Sequence, residues 1–353
     1  MKSFYTSNQD FAKFLAAIIE QEWELYSTVK EKDSINFKLI SNASEIGNIV
    51  FGSVRANQPF KSFFFNTREQ VASLPKTEVN PVKFKNRLVL NIKECDLHAL
   101  KVFDKAYYEE GSIPEPFYKE RREKTFLASS DCGYSIDSCF CTVVGGTPYP
   151  REGFDINLSQ VKGGFVIEVA NEKGEQLLKE IKKAGALVQT PQPYQIEEQK
   201  SNRRELTKKI EEANKEFEVP KKYDELCKKG LDAQVWKDLT DKKCVQCNGC
   251  LNICPTCYCF LLYDKNKDGI MERMRVWDAC INSGYARVAG GASPRPTLAS
   301  RLRHRFFHKF LYYYELFGMY ACSGCGRCAN VCPGKIEIRQ TFKDMSKEKT
   351  GAK

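Results

Sequence analysis

Between Gln9 and Trp23 the apolar positions recur at intervals of three and four residues, with Phe11, Phe14, Leu15, Ile18 and Ile19 on one side, and this spacing predicts an amphipathic helix. Further along, continuous apolar stretches at 35–40 (INFKLI), 87–92 (RLVLNI) and 164–169 (GFVIEV) read as strands. Helical and strand-like segments mixed in this way predict an α+β chain, with an N-terminal mixed α/β domain over residues 1–200. The segment SNRRELTKKIEEANKEFE changes character. Leu206, Ile210, Ala213 and Phe217 make one narrow stripe, and Glu205/Lys209 and Glu211/Lys215 stand four apart, as on an exposed helix ended by Pro220. It is expected to be a solvated spacer within a charged helical linker, residues 201–243.

Residues 244–340 are expected to form a second, helical domain with a long insertion between two cysteine runs. Inside that insertion Leu298, Leu302, Phe306, Phe310, Tyr314 and Phe317 keep helical spacing, while Arg301, Arg303, His304, Arg305, His308 and Lys309 fill the other faces. The apolar side is expected to be core, and the cations to neutralise a cluster or meet an acidic partner. The polar, lysine-rich segment 341–353 is expected to be a mobile tail.

A chain of 353 residues can bury more than one core, and its 42% hydrophobic and 12% aromatic content excludes wholesale disorder. The apolar stretch from Phe11 to Ile19, broken by Lys13, is too short to cross a bilayer, and the N-terminus lacks the order of an export signal. A cytoplasmic location is therefore expected. The 16 cysteines are bunched at metal-ligand spacings, which favours metal over a disulfide framework. The formal charge of +10 admits nucleic acid or an acidic partner, but anionic metal–thiolate centres on such cysteines would offset part of the excess.

Cys244, Cys247, Cys250 and Cys254, followed by Pro255, spell C-x2-C-x2-C-x3-C-P, and Cys322, Cys325, Cys328 and Cys332, followed by Pro333, repeat it. Three cysteines two residues apart let a tight loop offer three thiolates to one cubane, and the fourth, after a longer gap, serves the other cluster. Cys244, Cys247, Cys250 and Cys332 are thus expected to hold one 4Fe-4S cluster, and Cys322, Cys325, Cys328 and Cys254 the second, which makes 244–340 a ferredoxin-like two-cluster domain. Zinc prefers two separated C-x2-4-C pairs, which these runs do not follow. Gly249, Gly324 and Gly326 suit turns that bring backbone amides towards inorganic sulfides.

In the first domain Cys95, Cys132, Cys139 and Cys141 could supply a third 4Fe-4S cluster or be buried small hydrophobes, and spacing alone leaves both open. Cys227, Cys257, Cys259 and Cys280 read as packed thiols beside a cluster more readily than as ligands, a fourth site made from these four being the alternative. DKNKDG begins like a calcium loop, but Arg275 stands where a bidentate Glu is needed, so it reads as a polar turn. The three histidines, His98, His304 and His308, suggest no nucleophilic site, and no nucleotide-binding glycine motif is present.

These residues resemble the 4Fe-4S dicluster electron-transfer family, typified by the beta subunit of soluble NiFe hydrogenases (sulfhydrogenases) and by the corresponding iron-sulfur subunit of anaerobic sulfite reductase. The likeness rests on CVQCNGCLNICPTCYCF, WDAC with AGGASPRP, RLRHRFFHKF, CSGCGRCANVCP, and upstream KECDLHAL, YKERRE and CFC, and it runs from roughly Phe51 to Ile338. It implies an electron-transfer subunit relaying electrons between a flavoprotein subunit (FAD, reactive with NAD(P)H, with or without a further iron-sulfur cluster) and a catalytic hydrogenase or reductase subunit. It also implies that Cys95, Cys132, Cys139 and Cys141 act together. Lys93 replaces the usual Arg two residues before Cys95, exchanging a planar fork of donors for a point charge. Two other readings differ in class: a zinc-stabilised basic nucleic-acid-binding protein, and a self-contained iron-sulfur reductase using Cys257 and Cys259 as a redox pair.

Overall fold

A computed structural model describes residues 2–75, 85–109 and 115–348, and the chain divides into two compact units, 1–64 with 82–213 and 65–81 with 214–353. In the first, strand β1 (Lys2–Ser7) leads into helix α1 (Asn8–Glu20), whose first turn is closed by the Ser7 hydroxyl accepting from the Asp10 N–H at 3.1 Å. β2 (Glu24–Glu31) and β3 (Ser34–Leu39) follow, and β4 (Arg68–Leu74) belongs to the second unit. β5 (Arg87–Ile92), α2 (Glu94–Tyr107), α3 (Pro116–Lys124), β6 (Thr125–Ser130), β7 (Ile156–Val161), β8 (Gly164–Val169), α4 (Glu172–Lys183) and α5 (Pro193–Asn214) complete the first. Its seven-stranded sheet has the order β1-β8-β7-β6-β5-β2-β3, parallel from β2 through β5 and β6 to β7 and antiparallel at both margins. The mixed α+β class and the expected strands are found. The core lies under α1 and α4, where Phe11, Phe14, Leu15 and Ile18 meet Leu88, Ile156, Ile167 and Leu177.

A register shift between Leu90 and Ile92 marks a bulge in β5. Asn91 takes a left-handed conformation there, φ 61°, and its buried amide donates to Ser27 Oγ at 3.2 Å and Thr28 Oγ1 at 3.0 Å. A bulge re-aims the residues that follow, and those are Lys93 to Cys95.

The second unit holds α6 (Tyr223–Lys229), α7 (Val235–Lys242), α8 (Gly249–Asn252), β9 (Phe260–Lys267), β10 (Ile270–Trp277), α9 (Leu298–Phe307), α10 (Tyr313–Phe317), α11 (Arg327–Asn330) and α12 (Ile338–Lys347). The insertion is not wholly helical. β9 and β10 form a hairpin turning at Asp268 and Gly269, both left-handed, so of DKNKDG only these two residues make the turn, while 264–267 are paired strand at the end of β9. β10 also pairs with β4, drawing a segment of the expected N-terminal domain into this unit, and Arg275 makes a buried ion pair with Glu69.

Two further expectations differ from the structure. The spacer 201–218 lies mostly in α5 of the first unit, with Leu206 and Ile210 buried but Ala213 exposed, and residues 223–242 form α6 and α7 of the second. The expected tail carries α12, in which Phe342 is fully buried and stacks on Tyr223 with ring centroids 4.0 Å apart. A lysine-rich strip masks a strongly one-sided helix there, and 349–353 lie outside the described residues.

Candidate metal centre

The two cysteine runs fold alike. In the first, Gln246 and Asn248 are left-handed (φ 53° and 61°), and in the second Gly324 and Gly326 occupy the same positions (φ 65° and 68°). Gly249, expected in such a turn, is instead the first residue of α8, and Asn248 takes the strained position. Each loop curls so that a backbone amide reaches its first thiol, Gln246 towards Cys244 and Gly324 towards Cys322. The short helices α8 and α11 then carry the fourth cysteine away from its own loop.

That displacement exchanges the partners. Cys332 lines one cavity with Cys244, Cys247 and Cys250, a space of about 440 Å³ including its opening, closed behind by Ile281, Leu302 and Arg305. Cys254 instead interacts with Cys322 and Cys328, and Cys328 with Cys325. Among the described residues, no three His, Cys, Asp or Glu side chains converge on a single-ion position, as a tetrahedral zinc site would need. Four thiols spread around a cavity match the larger cubane in shape and in donor chemistry.

Electrostatics point the same way. Burial pushes the Cys328 thiol up to about 11 and the Cys322 thiol higher still. Cys328 sits beside Arg305 and Cys322 beside Lys309, and both cations are 4% exposed. Burial works against the charge of each. For Arg305 the thiols of Cys250, Cys328, Cys257 and Cys254 outweigh it, and for Lys309 those of Cys254, Cys257 and Cys322 do, so both are held well above their ordinary values. The Lys309 ammonium donates to Thr256 Oγ1 at 2.6 Å and Cys254 Sγ at 3.3 Å. Arg305 Nε is buried with no hydrogen-bond acceptor. An inorganic sulfide would provide one.

Cys257, Cys259 and Cys280 stand next to this set. The Cys254 thiol is lowered first by a hydrogen bond from Cys257, and that of Cys259 is lowered to about 6, first by Cys280 and then, against its burial, by Tyr285 and Lys309. Cys227 lies apart, buried and pushed up to about 12 by desolvation. His304 and His308 stack with ring centroids 5.9 Å apart, and burial lowers each to about 4.

In the first unit, β5 and β6 are adjacent parallel strands, and the chain leaves their carboxyl ends through Lys93 to Cys95 and through Asp131 and Cys132. Such ends are where open α/β sheets place their sites. Cys132 interacts with Cys139, and Cys141 with both, while Cys95 and Cys132 both act on Lys93. Sequence positions up to 46 residues apart, 95 and 141, are thus gathered at one end of the sheet. Lys93, fully buried, donates to Ser130 Oγ at 2.7 Å and the Asp131 carbonyl at 2.9 Å; burial lowers its ordinary value, against the pull of Cys132 and Asp131. Burial likewise pushes Cys132 up to about 12.

Sequence reasoning missed what α5 does here. Arg203 Nε donates to Asp131 Oδ2 at 2.7 Å, beside Cys132, and its guanidinium also pairs with Glu168. Leu206 and Ile210 pack on Cys141 with Cys132 against them, so the apolar stripe caps the thiols. The Arg-Arg pair at 203–204 was the available signal, and in a run this charged it resembles surface.

With the geometry in place, comparison with known proteins defines the class. Residues 243–336 match the 4Fe-4S dicluster domain family, so the second unit of this chain contains a 4Fe-4S dicluster domain. The relationship reaches beyond that domain: the chain is 29% identical over 321 residues, 90% of its length and 91% of the relative's, to Sulfhydrogenase 2 subunit beta of Pyrococcus furiosus. The resemblance seen in the cysteine runs is thus supported by both comparisons, a 4Fe-4S dicluster domain at 243–336 and similarity to a sulfhydrogenase beta subunit along both units. No helix among the described residues is long and apolar enough to span a membrane.

Proposed function

We propose that this chain is the electron-transfer subunit of a hydrogenase-type complex. It receives electrons from a flavoprotein subunit, passing them to a catalytic hydrogenase or to a sulfur- or sulfite-reducing subunit. In this reading Cys244, Cys247, Cys250 and Cys332 hold one 4Fe-4S cluster, and Cys322, Cys325, Cys328 and Cys254 the other. Bound there, the clusters supply one-electron chemistry at low potential. The chain's own residues fix the thiols, exclude water from the buried set and place two cations between the runs. The observation that carries the reading is the exchange of fourth cysteines, since Cys332 lines the cavity of the first run.

A third 4Fe-4S cluster belongs to the same proposal, held by Cys95, Cys132, Cys139 and Cys141. It is supported by their convergence beside Lys93, whose buried ammonium donates to a hydroxyl and a carbonyl and lies beside the Cys132 and Cys95 thiols together with Asp131 and Asp96. A cytoplasmic site of action follows from keeping twelve thiolates reduced.

Iron analysis with EPR of the anaerobically purified full chain tests both parts. About twelve irons per chain are expected, and about eight removes the third cluster. Cys332→Ser should perturb the spectrum in the same way as Cys247→Ser and unlike Cys325→Ser. A Cys332→Ser spectrum resembling that of Cys325→Ser would refute the exchange, and colourless protein holding zinc would refute the relay.

A further inference from the structure

The two runs are near copies in spacing and turn geometry, yet their exchanged cysteines are bonded differently. Cys332 Sγ accepts from a neutral backbone N–H, that of Ile336, at 3.3 Å. Cys254 Sγ accepts at the same distance, 3.3 Å, from the Lys309 ammonium. The ammonium in turn donates to Thr256 Oγ1, leaving that hydroxyl's own proton directed to Cys254 Sγ, 3.3 Å away. One side of the pair therefore carries a buried full charge on a thiol, and the other a peptide dipole.

Lys309 is placed there by a flaw in its helix. Residues His308–Tyr312 are π-helical, joining α9 to α10. A π-turn adds one residue to the helix and loosens its ladder, and such insertions recur at functional sites. Here the Lys309 carbonyl accepts instead from the N–H of Ala321, the residue before Cys322, at 2.9 Å. Lys309 thus pins the start of the second run with its backbone and reaches the cysteine lent by the first run with its side chain.

We infer that Lys309 makes the cluster of Cys254, Cys322, Cys325 and Cys328 the more readily reduced of the two, so that an electron entering the pair rests there. The inference rests on the ligation proposed above and deepens it. Adding one electron makes a cluster more negative, and a hydrogen-bonded cation at a ligand sulfur favours that state more than a neutral amide does. Burial acts in the opposite sense, because Cys254, Cys322 and Cys328 are buried whereas Cys247 is exposed. A substitution at Lys309 leaves that burial in place and so isolates the charge. Lys309 is a positioning residue: it touches a ligand sulfur and carries no electron itself.

The test is an EPR-monitored redox titration of the full chain, with dithionite as electron donor, for wild type, Lys309→Met and Lys309→Arg. Cys325→Ser assigns the wave of the second cluster. Lys309→Met should lower the reduction equilibrium constant of that cluster by tenfold or more, a drop of about 59 mV for a one-electron couple. The first cluster should move less, and Lys309→Arg should restore most of the loss. Should Lys309→Met assemble poorly, Thr256→Val, which removes the hydroxyl donor to Cys254 Sγ and the group that anchors the ammonium beside it, should produce a smaller shift in the same direction. Full iron content with unmoved potentials in Lys309→Met and Thr256→Val overturns the inference alone; wild-type chain without iron overturns the ligation reading with it.

Discussion

Glu94 sits in the first turn of α2, between Lys93 and Cys95, and its Oε2 is buried with no hydrogen-bond partner. Burial raises its carboxyl from 4.5 to about 7, with Arg151 pulling weakly the other way. A carboxyl whose folded value exceeds its unfolded value binds more protons in the native state, so native stability declines as pH rises from about 4.5 to about 7. That gap corresponds to roughly 3 kcal/mol of destabilisation above pH 7, fully relieved below pH 4.5. Glu94→Gln removes the charge but buries an amide that keeps one unsatisfied group, at about 1–2 kcal/mol. The variant should therefore be more stable than wild type by about 1–2 kcal/mol at pH 8 and no more stable at pH 4. The assay is urea denaturation at both pH values with hydrogen exchange read on peptides covering β5 and α2, so that the first unit is followed separately. An anionic cluster on the neighbouring Cys95 would enlarge the gain. Equal shifts at pH 4 and pH 8 would refute the reasoning, since then the carboxylate charge is not what the fold resists.

Two other substitutions test the packing. Phe342→Ala empties a fully buried site between Tyr223, Phe306 and Phe310 and should cost about 3–5 kcal/mol in denaturant titrations of the second unit, whereas a mobile tail would give no change. Gly133→Ala would set a Cβ 1.9 Å from the Gly52 carbonyl oxygen, which is backbone and cannot swing away. The loop after Cys132 must then shift, and iron should fall by about a third while the dicluster EPR signal persists; unchanged iron content would detach Cys132 from any cluster.

The eight cysteines of the two runs were legible because a cubane needs its thiolates at intervals that a short loop alone can meet, leaving the signature in consecutive residues. The sheet was partly legible for the same reason: β5 and β8 are apolar runs whose burial is local. Pairing of β4 with β10 was not, because Arg68 and Val276 face each other across some two hundred residues and neither strand is apolar enough to announce a partner. The stripe through Leu298, Leu302, Phe306 and Phe310 held, but Phe317 is exposed where Tyr313 is buried. The π-turn shifts the phase between them by an amount no hydrophobic period encodes, and that same shift makes Lys309 inward-facing. α5 was misjudged because a clamp such as Arg203 to Asp131 is built from the residue types that also make solvated surface.

One relation unites the sites of the two units. Lys93 in the first, Arg305 and Lys309 in the second, are cations at most 4% exposed. Lys93 faces the Cys132 thiol, which burial holds up at about 12, and Arg305 the Cys328 thiol at about 11. Lys309 faces the Cys254 thiol, which its own hydrogen bonds lower, and the Cys322 thiol, which burial raises. In the bare chain the pairing is incomplete: Lys309 has the lowered Cys254 thiol and Lys93 has Asp131 nearby, but thiols as high as those of Cys132 and Cys328 offer no anion at neutral pH. Binding a cluster would deprotonate the thiols and bring about −2 per site, pairing every one of these cations at once. Cluster loading should then be linked to folding in both units, and most steeply where the cations are deepest. On this argument chelation of iron loosens β5, β6 and the helix from Leu298 to Phe317 before it loosens α1, whose core of Phe11, Phe14 and Ile18 contains no charge to strand. Hydrogen exchange that rises first in α1 would show the cations to be paired without the clusters.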